Sequence, residues 1–120
     1  MQRTEIEARR RRMGVLARSS GKDIGTRLSG LGLDPEFRLL RGPETGLVML
    51  RGRVGGTGEP FNIGEATVTR ATVKLSDGSV GHAMTLGSDG MKARLCAVID
   101  ALCQGVAMGK LIDTGLVEPL

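Results

Sequence analysis

The segment ATVKLSDGSVGHAM, residues 71–84, decides the fold. Its centre, Asp77-Gly78, is typical of a two-residue type I′ turn between antiparallel strands, because both residue types tolerate the positive φ angles that this turn requires. Such a turn would pair Leu75 with Val80, Val73 with His82, and Ala71 with Met84. The apolar residues of both strands then share one face. We therefore predict a β-hairpin that carries His82, the chain's only histidine, on its apolar face.

Further strands are indicated upstream of the hairpin. Alternating apolar residues predict a strand over residues 46–54 and extend the first hairpin strand over about 64–76. The alternation changes phase near Thr69, which is typical of a β-bulge. A short strand is also predicted before a turn at Gly42-Pro43.

Helices are predicted at both ends of the chain. Apolar residues at helical spacing indicate a first helix over residues 5–20 and a second over 22–31. A third helix is predicted over residues 91–108, with Asp89 as its N-cap. The sequence predicts an irregular tail over 109–120.

These elements define an α+β class: two N-terminal helices, an antiparallel meander of about four strands and one C-terminal helix. With 120 residues, the chain is predicted to be a single domain over 1–120 with one core. Its only aromatic residues are Phe37 and Phe61, so that core is aliphatic. A small aliphatic core favours a subunit that gains stability from a partner.

The positive charge is concentrated in the predicted N-terminal helix, residues 1–20. The net charge is +4, but residues 1–30 carry eight basic and three acidic side chains, whereas residues 31–120 carry nine and ten. The run Arg9–Arg12 could contact nucleic acid or an anionic membrane. We favour a solvated helix end or salt bridges to an acidic partner, because no finger spacing, helix-turn-helix pattern or aromatic stacking platform accompanies the run.

The sequence gives no sign of a membrane anchor or of export. No apolar stretch approaches the ~20 residues of a membrane span, and no signal-peptide pattern is present. We therefore expect a cytoplasmic protein with no membrane partner.

Few side chains are suited to catalysis. The predicted register favours a hydrogen-bonded core histidine at His82 over a catalytic one. Cys96 and Cys103 are seven residues apart in a helical pattern, about 10.5 Å along the axis, which is too far for a disulfide. They are interpreted as small buried hydrophobes, and two such ligands do not make a metal site.

The most conspicuous loop is GGTGE, residues 55–59. Its glycines could let backbone amides converge on an anion, with nearby arginines as further ligands, but neither a P-loop nor a dinucleotide-binding pattern is present. The residues alone leave open an anion site or a plain connection between strands. They also leave open whether Arg70 serves a structural ion pair, an interface or a ligand. The candidate binding or interface residues are Arg53, Gly55, Gly56, Thr57, Gly58, Glu59 and Arg70.

A family resemblance covers nearly the whole chain. The residues that carry it are Met13–Ala17, Glu44–Val48, Arg53, Gly55–Glu59, Phe61, Gly64–Ala71, Leu75–Gly78, Gly81 and Ala97–Leu102. With these segments the sequence resembles the PhnG family of the carbon–phosphorus lyase system. The segment from ETGLV to GGTGE, joined to the TRA strand and the Asp-Gly turn, is the most specific part.

The resemblance implies a role in the catabolism of organic phosphonates. Family members are subunits of a cytoplasmic hetero-oligomeric transferase, the carbon–phosphorus lyase core complex. That complex forms ribose 1-methylphosphonate 5-triphosphate from ATP and methylphosphonate with release of adenine. The resemblance implies that a nucleosidase-like partner carries the catalytic site and that this subunit binds no cofactor of its own. The alternative is a stand-alone anion-binding or nucleic-acid-binding module that uses the N-terminal arginines.

Overall fold

The computed structural model describes residues 3–53, 58 and 60–120. Within these ranges two helices precede an antiparallel sheet in the order β1-β2-β3, and further helices follow, so the predicted α+β class is confirmed. The elements are α1 (Arg3–Arg18), α2 (Gly21–Gly30), β1 (Phe37–Arg53), β2 (Pro60–Leu75), β3 (Val80–Leu86), α3 (Gly90–Leu102), α4 (Val106–Ile112) and a π-helical turn (Asp113–Val117). None of the helices in these ranges combines the length and the apolar character that a membrane span requires.

The two strands predicted on either side of Gly42-Pro43 form the single strand β1. Arg41 pairs with Thr72 and Glu44 with Arg70, so two residues of β1 lie opposite one residue of β2. Gly42-Pro43 is therefore a bulge rather than a chain reversal, and the φ angle of +78° at Gly42 is one that glycine adopts readily. The bulge predicted near Thr69 is wrong, because Thr45 pairs with Thr69 and Glu44 with Arg70 without a shift. Two register shifts, before and after Arg41, place the extra residue on β1, and a third places one on β2 between Asn62 and Gly64.

The turn at Asp77-Gly78 is one residue longer than predicted. The Leu75 amide donates to the Ser79 carbonyl at 2.8 Å, so the loop contains three residues, Ser76 to Gly78. Gly78 has a φ of +94°, whereas no non-glycine residue of the described chain has a positive φ. This geometry is that of a three-residue hairpin with a glycine bulge, in which only the glycine must be left-handed.

The longer turn shifts the register of the whole hairpin by one residue. Val73 lies opposite Gly81, and Thr72 lies opposite His82. The prediction of a core histidine is therefore wrong: His82 is exposed, on the face of the sheet that points away from α3. A shift by one residue moves every side chain of a strand to the other face.

The core lies between α3 and the sheet. Helix α3 approaches β3 most closely at Gly81, where an added β-carbon would lie 2.6 Å from the Ala101 nitrogen and closer still to the Ala97 carbonyl oxygen. Ala93, Ala97 and Ala101 recur at helical spacing and are buried, so α3 presents its smallest side chains to the strand. The other buried hydrophobic residues of this core are Leu16, Ile24, Leu28, Ala71, Val73, Leu75, Ala83, Cys96, Val98, Ile99, Ile112, Leu116 and Val117.

The C-terminal region is more helical than predicted. Helix α3, capped by Asp89 as expected, ends at Leu102. A separate helix, α4, begins after Gly105, so the predicted third helix is divided in two. The tail predicted to be irregular is helical as far as Val117, because Ile112, Leu116 and Val117 are fully or almost fully buried against the core.

We predict that Gly81→Ala strongly destabilises the protein. The added methyl group has no room between β3 and α3, and an overpacked core typically loses about 1–3 kcal/mol. The free energy of unfolding in urea should fall by an amount at the upper end of that range.

Gly30→Ala is the matched control, because no heavy atom lies within 4 Å of its added β-carbon. Its effect should stay within about 1 kcal/mol. Equal stability of the two variants would show that the close approach of α3 to β3 is incorrect.

Candidate functional site: a cationic cleft

The face of the sheet that points away from α3 carries two rows of side chains, which are polar except for one methionine. In one row Arg41, Thr72 and His82 lie side by side on β1, β2 and β3. Glu44, Arg70 and Met84 form the next row along the strands. Neighbouring strands are about 4.8 Å apart, and alternate residues of one strand are about 6.6 Å apart, so these side chains share one small surface.

Helix α1 forms a wall beside this surface. The helix and the two rows of the sheet line one cleft, to which α1 contributes Ile6, Arg9, Arg10 and Met13. The volume of this cleft is about 670 Å³. We call this space the cationic cleft. It is lined by Ile6, Arg9, Arg10, Met13, Arg41, Glu44, Arg70, Ala71, Thr72, His82, Ala83 and Met84.

The charges of the cationic cleft are unbalanced. Among the described residues four arginines and one carboxylate, that of Glu44, line it, and of the arginines Arg9 is paired with Asp100 behind the wall. Glu44 lies 3.7 Å from the Nε atom of Arg41, and both side chains are largely exposed, so their attraction is weak. Within the described part of the chain no carboxylate forms an ion pair with Arg70. The cleft is therefore suited to an anion.

Asp100 of α3 holds the wall of the cleft in place. Its Oδ1 accepts a hydrogen bond from Arg9 Nε at 2.8 Å, and its Oδ2 accepts one from the His82 backbone amide at 2.9 Å. Asp100 is only 5% exposed, so this carboxylate is nearly desolvated and depends on these donors. The hydrogen bond to Asp100 raises the pKa of Arg9. One carboxylate thus joins α1, β3 and α3.

A second ion pair divides the run of four arginines. Arg12 is buried and donates to Asp113 from Nε at 2.8 Å and from Nη2 at 3.1 Å. The hydrogen bond to Asp113 raises the pKa of Arg12. Salt bridges were expected for this run, but to a partner, whereas Arg9 and Arg12 bind acids of the same chain. Only Arg10 and Arg11 of the run remain exposed without an ion pair in the described structure.

His82 is oriented by a neighbouring side chain. Its Nδ1 lies 3.1 Å from the Thr72 hydroxyl on the adjacent strand. Because one ring nitrogen is used in this contact, Nε2 is the nitrogen that remains for a ligand. The sequence could not indicate this role, because the predicted register placed His82 in the core.

The structure describes three of the predicted site residues, Arg53, Gly58 and Arg70, and the Arg53 backbone lies far from Arg70. Arg70 lies in the cationic cleft. The backbone of Arg53 pairs with Pro60 at the other end of β2, which is ten residues or roughly 30 Å from Arg70 along an extended strand. Gly58 precedes β2 and is partly exposed, whereas the predictions at Gly55, Gly56, Thr57 and Glu59 lie outside the described residues.

Metal-ligating groups and thiols are further candidates for chemistry among the described residues. They contain no group of three or more His, Cys, Asp or Glu side chains that could hold a metal ion. Cys96 and Cys103 are free, and burial raises their pKa values to about 11 and about 12. Thiols with such values are protonated at neutral pH and are poor nucleophiles.

An α+β domain whose sheet and first helix enclose a cationic cleft has the properties of an anion-binding domain. Comparison with known proteins identifies its family. The family model described as "Phosphonate metabolism protein PhnG" matches residues 7–120, and the chain belongs to this family. The predicted resemblance is thereby confirmed.

A curated relative adds a named activity. The chain is 51% identical over 102 residues to the "Alpha-D-ribose 1-methylphosphonate 5-triphosphate synthase subunit PhnG" of Rhizobium meliloti (strain 1021). The match covers 85% of this chain and 65% of the relative.

We predict that both cysteines are protected from alkylation in the folded protein. At pH 8 a thiol with a pKa of about 11 has roughly 100-fold less thiolate than one with the ordinary value of 9.0. Iodoacetamide should therefore modify Cys96 and Cys103 slowly in buffer. In about 8 M urea, which unfolds a small domain, modification should be rapid. Intact mass spectrometry follows both reactions. Rapid modification of Cys96 in buffer would contradict the packing of α3, and rapid modification of Cys103 would contradict the burial of the residue that caps it.

Proposed function

We propose that this chain is an accessory subunit of a ribose 1-methylphosphonate 5-triphosphate synthase in the cytoplasm. The observation that carries the proposal is the 51% identity over 102 residues to a subunit of that name. In the proposed reaction the complex takes ATP and methylphosphonate and releases adenine. The subunit's contribution is surface and shape, and it needs no cofactor of its own.

The chemistry is assigned to a partner, above all to a nucleosidase-like subunit of the same complex. Two features of this chain support that assignment. Burial raises the pKa values of both thiols, and the imidazole of its only histidine forms its hydrogen bond with a threonine hydroxyl. A nucleophile with an adjacent base, or a base held by a carboxylate, is the arrangement that catalysis of bond cleavage usually requires.

An exposed arm of the sheet supports assembly with other subunits. The pairing of β2 with β3 covers residues 68–74 of β2, and the segments before it pair only as a two-stranded ribbon with β1 in the described structure. On the α3 side of this arm Leu47 is 67% exposed and Met49 is 54% exposed. A two-stranded ribbon is marginally stable in water by itself, so burial of these side chains by a partner would stabilise it.

We predict that the double variant Leu47→Glu/Met49→Glu fails to assemble. Two charges on the arm would have to be desolvated in the interface, at a cost of several kcal/mol. The variant should stay folded, because both side chains are already exposed. Co-expression with the other subunits, affinity purification and native mass spectrometry measure the outcome.

Val106→Glu is the matched control, since Val106 is 70% exposed but belongs to α4 rather than to the arm. It should assemble as the unmodified chain does. Full assembly of the double variant would remove the arm from the interface. Failure of the unmodified chain to co-purify with any of these subunits would refute the proposed function itself.

The glycine-rich loop has a separate proposed role. Arg53 and the segment Gly55–Glu59 are assigned to the partner's active site, where they would exclude water so that methylphosphonate, rather than water, attacks the ribose. The support is the sequence of the loop and the position of the Arg53 backbone at the end of the arm. Reconstituted complexes that carry Arg53→Ala should form more hydrolysis product, and an unchanged ratio of phosphonate product to hydrolysis product argues against this role.

A further inference from the structure

We propose that the cationic cleft binds the triphosphate group of a ribose 5-triphosphate. The cleft itself is a structural observation, whereas the choice of a ribose 5-triphosphate as its ligand rests on the proposed function. In that reaction the bond at C1 of the ribose changes and the 5-triphosphate does not. A site for the triphosphate would therefore hold both substrate and product.

The arginines of the cleft come from three different elements. Arg9 and Arg10 belong to α1, Arg41 to β1 and Arg70 to β2. Because they surround the cleft rather than follow one strand or one helix, their guanidinium groups can approach a ligand from several sides. Guanidinium groups bind phosphate through two parallel hydrogen bonds, and several of them are needed for a chain of phosphates.

Part of this surface is already ordered. Arg9 is fixed by its two hydrogen bonds to Asp100, at 2.8 and 3.3 Å, and His82 is oriented by Thr72. Side chains that are held before a ligand binds lose less conformational entropy when it does. Arg10 and Arg70 have no ion pair within the described ranges and remain available as phosphate ligands.

The remaining lining fits a sugar phosphate better than a nucleic acid. Ile6, Met13 and Met84 give the cleft an apolar side, and its volume of about 670 Å³ is that of a small-molecule site. Sites for single-stranded nucleic acids usually stack bases on aromatic rings. Among the described lining residues the imidazole of His82 is the one aromatic ring. Phe37 points to the other face of the sheet, where it pairs with Leu75.

The proposal is tested by titrating the full chain with inorganic tripolyphosphate and, separately, with ATP in an isothermal calorimeter. Arg70→Ala should weaken the binding of both by about tenfold or more, the value expected for the loss of a charged hydrogen bond. Glu44→Gln should strengthen it, because the change removes the one carboxylate among the described lining residues. Circular dichroism checks that the variants are folded.

Arg27→Ala is the matched control. Arg27 is an exposed arginine of α2 outside the cleft, and its removal changes the net charge by the same amount as Arg70→Ala. Binding should change less than about twofold, the size of a general charge effect at physiological salt. Absence of saturable binding, or equal losses in the two variants, overturns the proposal.

Two further results separate this proposal from the proposed function. If Arg70→Ala prevents assembly with the other subunits but leaves tripolyphosphate binding unchanged, the cleft is an acidic-protein interface and the proposal is wrong. If the unmodified chain binds tripolyphosphate through Arg70 but never co-purifies with those subunits, the anion site stands and the proposed function fails.

In the reconstituted complex, Arg70→Ala should raise the KM for ATP more than it lowers kcat, because the triphosphate is remote from the reacting carbon.

Discussion

The close approach of α3 to β3 is the contact on which the rest of the structure depends. Gly81 leaves no space between the strand and the helix backbone at Ala97 and Ala101. Asp100, adjacent to Ala101 on α3, is thereby brought to the edge of the sheet, where it accepts hydrogen bonds from the His82 amide and from Arg9. The packing of one helix on one strand thus also fixes α1, and with α1 one wall of the cationic cleft.

The same arrangement places the small aliphatic core in the body of the domain and leaves one part of the sheet outside it. Buried Leu, Ile, Val and Ala side chains fill the space between α3, the sheet and the C-terminal helices. The arm formed by the first part of β2 and the end of β1 lies beyond β3, and Leu47 and Met49 remain exposed there. Exposed apolar side chains that lie together often mark a surface that another protein covers.

Local signals in the sequence predicted the elements of the fold better than the contacts between them. The hairpin, the α+β class and the Asp89 cap follow from neighbouring residues. The register of the hairpin did not, because Asp-Gly fits both a two-residue turn and a three-residue turn with a glycine bulge. The hydrogen bond from the Ser79 amide to Asp77 Oδ1, at 2.9 Å, lies in the longer turn. That difference of one residue moved His82 from the predicted core to the cleft.

The candidate site was predictable only in part for the same reason. Arg70 was singled out as a charged residue inside a strand, but its neighbours Arg41 and His82 follow from the register of three strands. Arg9 and Asp100 are 91 residues apart in the chain, and no local pattern indicates their pairing.

The central claim is that this chain supplies binding surface while a partner supplies the chemistry. Phosphorus NMR of ATP and methylphosphonate tests it most directly, with this chain alone, with the partner subunits alone and with both. The account predicts ribose 1-methylphosphonate 5-triphosphate only when both are present, and formation of that product by this chain alone would contradict it.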